Sequence, residues 1–405
     1  MPALEGMRVL DMTQYEAGTS CTQLLAWLGA DVVKVEPPGR GDPGRGVTQG
    51  PAVSQYFLNY NSNKRSIVID LAKPEGRELL LKLAPRYDVF VENYGPGVIE
   101  RLDLGYDVLR QANPGIIYGR IKGFGLSGPY SGFKSYDWVA QAAAGTFSMT
   151  GPRDGPPMRP APTIGDSGTG MQMALAITAA YVQKQRTGAG QFIEISMQEA
   201  VTLFMRTLGL HTWGQAPGQR SGNRLGPPSD VYPCAPGGPN DYLFIMVVTT
   251  RMWDTLCAAI GRPELVNDPR FESGPARIEH GDELHAEIAQ WTRQRSKHEA
   301  MRELGEAGVP CSAVLDTLDL FTDPHLVERG LVQTIPHATA GDVRVMGSPL
   351  RMSGSDVPLE AAPLLGEHTA GVLAQDLGLD AAAIARLQER GVIEAHRAAE
   401  EVGQR

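Results

Sequence analysis

Histidine is scarce in this chain and absent from its first half. Of eight histidines in 405 residues, the first is His211. Chemistry assigned to the first half therefore works without imidazole. Cysteine is equally sparse: Cys21, Cys234, Cys257 and Cys311 form no CxxC pair. That spacing argues against a structural zinc site and a dithiol redox motif, so no metal is expected. No apolar run reaches the length of a membrane-spanning helix, and residues 1–8 show no basic region followed by an apolar one. The four cysteines then read as reduced thiols of a cytoplasmic protein. Positive charge is also in deficit, with 37 basic against 46 acidic residues and a net charge of −9. That excludes a broad basic footprint for nucleic acid or an anionic membrane, while leaving room for a local anion pocket. There is no internal repeat, and no GxGxxG fingerprint of a dinucleotide site.

What is present is a chain of ordinary globular composition, 42% hydrophobic and 20% charged, long enough for two or three domains. Strand and helix signals alternate in the first half. Strands are expected at 9–11, 31–35, 66–70, 88–92, 116–122 and 192–196, and helices near 21–28, 74–83, 138–144 and 171–185. The stretch 13–20 reads as a loop. Such alternation predicts an α/β fold, a mostly parallel sheet with helices on both faces, and ligand sites on loops at the strands' carboxyl ends. The character changes at 214–239, where glycine and proline crowd. A large domain over 1–214 is expected, then a small α+β domain over 215–330. Residues 331–405 read as an extended, proline-punctuated return segment closing with two helices, at 366–377 and 381–389.

Four segments are candidates for chemistry. Gly165-Asp166-Ser167-Gly168 superficially suggests a trypsin-like serine, but that order of residues needs an earlier histidine. Asp166 could simply cap the helix behind it. It could equally be an exposed carboxylate nucleophile whose flanking glycines let backbone N–H groups approach an oxyanion. Thr13-Gln14-Tyr15-Glu16-Ala17-Gly18 follows the first strand, at the sheet's ligand edge. Val91-Glu92-Asn93-Tyr94-Gly95-Pro96-Gly97 leads toward Arg101, and Phe133-Lys134-Ser135-Tyr136-Asp137 precedes a helix. Together these supply cations and a backbone-lined surface suited to a phosphate-bearing ligand. The glycine cluster at 39–46, with its Arg40-Gly41-Asp42, reads as a solvated loop.

Several pieces in order, from Leu4-Glu5-Gly6-Met7-Arg8-Val9-Leu10-Asp11 through Gly29-Ala30-Asp31-Val32-Val33-Lys34-Val35-Glu36, Asn63-Lys64-Arg65-Ser66-Ile67, Val91 to Gly97, and Gly165-Asp166 to Pro363-Leu364-Leu365-Gly366-Glu367-His368-Thr369, carry a resemblance. The chain is similar to the family III CoA-transferases of CaiB/BaiF type, which include formyl-CoA:oxalate enzymes. The resemblance implies a Rossmann-like large domain, a small α+β domain and an interlocked homodimer. It implies an acyl-CoA:carboxylate CoA-transferase acting on small (di)carboxylic acids such as oxalate or succinate, with coenzyme A entering as the acyl-CoA substrate. Asp166 would be the nucleophile and Glu16 its catalytic neighbour. An aspartate of ordinary pKa, about 3.9, is already ionised at neutral pH and needs no general base. CoA contacts would fall on Ala17, Ile69, Asp70, Leu71, Ala72, Asn93, Tyr94, Gly95, Arg101, Phe133, Lys134, Ser135 and Tyr136. Asp137, Gly222 and Gly226 would face the substrate, the two glycines on an active-site loop at 221–226. Departures from the oxalate-specific pattern are Pro37 for an arginine, Ala72 for a lysine (with Lys73 adjacent) and Glu16 for a glutamine. The rival within the family, an α-methylacyl-CoA racemase, would carry a histidine where this chain has Tyr136, and tyrosine's pKa of about 10 suits α-proton abstraction poorly.

Overall fold

The computed structural model describes residues 1–47, 53–207 and 214–396; His211 and the last nine residues of the return segment lie outside them. By compactness the chain divides into two units. The larger comprises Met1–Thr146, Arg159–Ala216 and Arg329–Arg405, and the smaller Phe147–Met158 with Pro217–Glu328.

The larger unit begins β1 (Arg8–Met12), α1 (Ala17–Trp27), β2 (Asp31–Glu36), α2 (Gln55–Asn61), β3 (Arg65–Ile69), α3 (Pro74–Leu83) and β4 (Val89–Glu92). It continues α4 (Val98–Arg101), α5 (Tyr106–Ala112), β5 (Ile117–Lys122), α6 (Asp137–Ala143) and, beyond α7 (Thr146–Met149), whose last three residues belong to the smaller unit, α8 (Ser167–Thr187), β6 (Phe192–Ser196) and α9 (Met197–Thr202). The first six strands pair in parallel in the order 3-2-1-4-5-6, the order of doubly wound nucleotide-binding folds. β1 to β5 are buried on both faces, so alternate residues enter different cores, while β6 at the edge leaves Glu194 exposed. Leu10, Val33, Ile67 and Phe90 pack on one side of the sheet with Leu80 and Leu83. Val9, Val32, Val89 and Ile117 pack on the other with Leu25, Met173 and Ile177.

The expected mixed α/β fold with a large parallel sheet is observed, and α3 spans the residues expected of it. Three local readings change. The helix after β1 begins at Ala17, so only Thr13 to Glu16 remain a loop. The run Gly-Thr-Ser looked like a turn, but Gly18 lies in the first turn of α1, where a Cβ would fall 2.3 Å from Thr13 Cγ2. The return segment is not merely extended: Val332–His337 and Gly341–Met346 form an antiparallel hairpin. Past the helix at Thr369–Leu377, Ile393–Glu394 adds an antiparallel edge strand beside β3. Such pairings depend on distant partners and leave little local signal.

The smaller unit carries its own three-stranded antiparallel sheet, Asp230–Pro233, Tyr242–Ile245 and Cys311–Ala313, covered by helices that include Thr250–Ala259, Gly281–Thr292 and Lys297–Glu306. Trp253, Leu256, Phe271, Leu284 and Ile288 are among its core residues.

Charged groups buried within the larger unit's apolar sheet hold the loop after β1. Asp11, Lys34, Asp42 and Lys64 are each no more than 4% exposed. Asp11 pairs with Lys64 at 3.1 Å and Lys34 with Asp42 at 2.7 Å. Asp11 also accepts from the Thr13 N–H at 2.9 Å and the Thr22 hydroxyl at 2.8 Å. Burial works against its charge, but Lys34, Lys64 and Thr13 outweigh it and lower its pKa to about 2. Lys64 is drawn down to about 8 by burial, with Lys34 nearby. Removing one member strands its buried partner. Asp11→Asn should therefore cost about 3 kcal/mol of unfolding free energy at neutral pH. A carboxylate with a depressed folded pKa contributes stability that is present above its unfolded pKa and lost as pH falls through the folded one. Denaturant melts between pH 6 and pH 2 should therefore show the gap between variant and parent narrowing below about pH 4.

Candidate active site

Two helix N-termini meet at the carboxyl edge of the sheet. Glu16 stands at the N-cap position of α1 and Asp166 at that of α8. The helices touch closely because Gly170 has no side chain. A Cβ there would lie 2.1 Å from Ser20 Oγ and 2.6 Å from the Ala17 carbonyl oxygen. Across this contact the Ser167 hydroxyl donates to Glu16 Oε1 at 2.7 Å, and the Thr163 hydroxyl donates to the same oxygen at 2.5 Å. Tyr60 of α2 stands beside Glu16, and its hydroxyl pKa is raised by burial and by that carboxylate. Glu16 is itself 3% exposed.

Asp166 is differently placed. It makes no side-chain capping bond to α8, so the simple capping role left open by the sequence is not the one it plays. Its backbone N–H donates to Asp137 Oδ1 at 3.1 Å, while Asp137 Oδ2 accepts from Gln141 at 2.7 Å. Gly165 permits this approach, since a Cβ there would meet the Asp137 carbonyl oxygen at 2.6 Å. Burial first, then Glu16 and Asp137, push the Asp166 carboxyl up to about 8. Desolvation and two like charges thus work against the ready ionisation that an ordinary aspartate would show at neutral pH.

Asp166 lines a cavity of about 360 Å³ together with Gln14, Tyr15, Ala17, Asn93, Tyr94, Gly95, Lys122, Phe133, Lys134, Ser135 and Tyr136, among others. Every one of these residues belongs to the larger unit. The sequence-derived residues Ala17, Asn93, Tyr94, Gly95, Phe133, Lys134, Ser135 and Tyr136 are thus brought together around Asp166. Other candidates lie elsewhere. Ile69 is a core residue at the end of β3, and Asp70, Leu71 and Ala72 follow it along the sheet edge without lining the cavity. Arg101 closes α4 and is exposed. Lys73, adjacent to Ala72, donates to the carbonyls of Arg390 and Gly391 at 2.6 and 2.8 Å, so its ammonium is already engaged. Asp137 is 6% exposed, and its carboxylate accepts from the Asp166 N–H and from Gln141. Gly222 and Gly226 lie in the smaller unit, both at positive φ, with the Gly222 N–H donating to the Gly151 carbonyl at 3.2 Å.

Sequence reasoning passed over Lys122, Thr163 and Ser167. Lys122 ends β5 at the ligand edge, pairs with Glu92 at 3.0 Å and lines the cavity. A lysine closing a buried strand was the available signal. Thr163 and Ser167 became visible only once α1 crossed α8. Among the described residues no cluster of His, Cys, Asp or Glu could hold a metal, and no helix is long and apolar enough to cross a membrane.

The model of CoA-transferase family III matches residues 4–369. The chain belongs to CoA-transferase family III. It is a CoA-transferase of the CaiB/BaiF type. Among curated proteins, it is 42% identical to the formyl-CoA:oxalate CoA-transferase of Streptomyces avermitilis, an alignment covering 96% of this chain and 99% of that one. The formyl-CoA:oxalate CoA-transferase of Rhodopseudomonas palustris strain HaA2 is 38% identical, covering 96% and 97%. Among solved structures, a CaiB/BaiF family protein from Brucella suis superimposes with TM-score 0.82 at 31% identity, covering 92% of this chain and 99% of its own. A Mycobacterium tuberculosis protein gives 0.77 at 30%, covering 91% and 98%.

The electrostatics of Asp166 make a stability prediction. A carboxyl whose folded pKa lies above its unfolded value contributes stability that is full below the unfolded pKa and is lost as pH rises through the folded one. Asp166→Asn, which never ionises, should match the parent in thermal unfolding near pH 4. It should exceed the parent at pH 8 to 9 by about 2 kcal/mol, on the scale of 1.4 kcal/mol per pKa unit reduced for a part-exposed group. An equal difference at both pH values would show that Asp166 is not desolvated.

Proposed function

We propose that this family III CoA-transferase moves CoA between small (di)carboxylic acids, with Asp166 as the covalent nucleophile. Formyl-CoA and oxalate, the pair in its relatives' names, are the first substrates to test. The observation that carries the reading is a carboxylate spared from helix capping and opening onto a cavity in a family whose members are CoA-transferases. In its ionised form Asp166 attacks the donor thioester carbonyl through one of its oxygens. The C–S bond breaks, giving a mixed aspartyl–acyl anhydride and CoA thiolate. The thiolate attacks the aspartyl carbonyl and the donor acid departs, leaving an aspartyl-CoA thioester. The acceptor carboxylate attacks that thioester, releasing the thiolate and forming a second anhydride. The thiolate then attacks the acceptor acyl carbon and frees Asp166.

The raised pKa suits this sequence. It makes Asp166 a stronger nucleophile once ionised, and acylation relieves its repulsion by Glu16 and Asp137. Exclusion of water protects the anhydrides. Lys134, in the cavity wall, would meet the anionic parts of CoA. Racemisation is disfavoured: the position that would hold a histidine is Tyr136, which is 66% exposed. The reading also includes an interlocked homodimer, as the family resemblance implies, and a cytoplasmic location, as the sparse, unpaired cysteines suggest.

Asp166→Ala should abolish CoA exchange from formyl-CoA to oxalate while leaving the far-ultraviolet dichroism unchanged. Borohydride added to the parent with acyl-CoA should reduce an Asp166 thioester, seen as a mass change on its peptide. Exchange by the variant near the parent rate would end the proposal. Glu16→Gln should lower KM for the oxalate dianion several-fold more than KM for acetate, as expected from removing one screened charge, about 1 kcal/mol. Equal changes for both acceptors would remove Glu16 from acceptor selection.

A further inference from the structure

The glycine-rich segment after β2, read from sequence as a solvated loop, is built into the wall behind the site. Its Asp42 is 1% exposed, and Lys34, its ion-pair partner at 2.7 Å, is fully buried. Asp42 Oδ1 accepts from the Tyr15 N–H at 3.1 Å and from the Gly44 N–H at 2.7 Å. Lys34 Nζ donates to the Thr13 carbonyl at 2.7 Å. The Asn93 side chain takes both backbone groups of Gln14, each at 2.8 Å. The chain from Thr13 to Tyr15 is thus held at every residue, and it needs to be. Tyr15 has φ +58°, a left-handed conformation that a bulky side chain adopts only when its surroundings impose it. The next residue is Glu16, whose carboxylate reaches across to Ser167 and Thr163.

We infer that Asp42, paired with Lys34, is a positioning residue: it holds the strained turn at Tyr15 and so sets the place of the Glu16 carboxylate relative to Asp166. The inference rests on the proposed roles of Glu16 and Asp166. Two buried charges are a costly way to stabilise a loop, because their mutual attraction must offset the desolvation of both. They are a direct way to fix a turn, since the carboxylate binds a backbone N–H while its partner ammonium binds a carbonyl two residues earlier. Asp42 is not among the charges acting directly on Asp166, which are Glu16 and Asp137. The proposed influence of Asp42 on Asp166 runs through the turn at Tyr15 and Glu16; Tyr56 of α2, coupled to both carboxylates, is the other link between them. Other titratable groups around this pair are Tyr56 and Tyr60 of α2, with Tyr15, Tyr94, Lys122, Lys134 and Tyr136 in the cavity wall.

The test reads the ionisation of Asp166 without any substrate. Infrared pH-difference spectra of the full chain report its carboxyl band, assigned by its loss in Asp166→Asn. Glu16→Gln should lower the Asp166 midpoint by about one pH unit, as one close, part-screened charge would. Asp42→Asn should lower it in the same direction, by at least half as much, and should have no further effect in the Glu16→Gln background. Gly44→Ala is a gentler variant, should Asp42→Asn not fold. A Cβ at Gly44 would lie 3.2 Å from Asp42 Oδ1, displacing the carboxylate slightly without altering its charge. A smaller shift of the same sign is expected. A purely structural Asp42 would lower the melting temperature and leave the midpoint in place. If Glu16→Gln moves the midpoint while Asp42→Asn and Gly44→Ala do not, the inference is overturned and the pairing of Glu16 with Asp166 survives. If Glu16→Gln does not move it, both fail together.

Discussion

The crossing of α1 over α8 is the constraint on which the site depends. Gly170 lets the two helices approach until only a glycine fits. Because both helices start at this edge, their N-cap residues, Glu16 and Asp166, become neighbours. A wider crossing would leave two separate, solvated carboxylates of ordinary acidity. The close one produces a desolvated pair of like charges, in which each electrostatic effect is magnified by the lower local dielectric. Ser167 and Thr163 direct both of their hydroxyl protons to Glu16 and none to Asp166, so the two groups are chemically unequal from the outset.

Holding that arrangement requires polar anchoring below it. Parallel strands buried on both faces ordinarily tolerate few charges, yet Asp11 and Lys34 lie within them. They engage loop backbone: Asp11 the Thr13 N–H, Lys34 the Thr13 carbonyl. A second buried group, Glu92 with Arg120 and Lys122, lies on β4 and β5 and borders the cavity through Lys122. Apolar packing gives the sheet its stability; the ionic groups give its loops their positions. Raising the Asp166 pKa costs stability, a trade expected where reactivity is built from strain and desolvation.

Much of the fold was legible because its signals are local. The alternation of strands and helices, a mostly parallel sheet and the span of α3 all follow from residue order and periodicity. The hairpin at Val332–His337 and Gly341–Met346 and the edge strand at Ile393–Glu394 were not legible, because their partners are set by packing at long range. The start of α1 was hidden for a related reason: Gly18 resembles a turn residue until Thr13 is seen against it.

By itself the sequence determined the α/β class, the edge of the sheet where ligands belong and the candidacy of Asp166. It did so because a glycine-flanked carboxylate without any upstream histidine restricts the chemistry available. Resemblance extended this to a CoA-transferase. Tertiary structure decided what those residues are to one another. It turned Asp137 toward the Asp166 backbone and engaged Lys73 at Arg390 and Gly391. It changed Asp166 from an ordinary acid into one raised to about 8. The physical reason is that pKa, hydrogen bonding and strain depend on distance and burial, and residues 150 positions apart acquire a distance only when the chain folds.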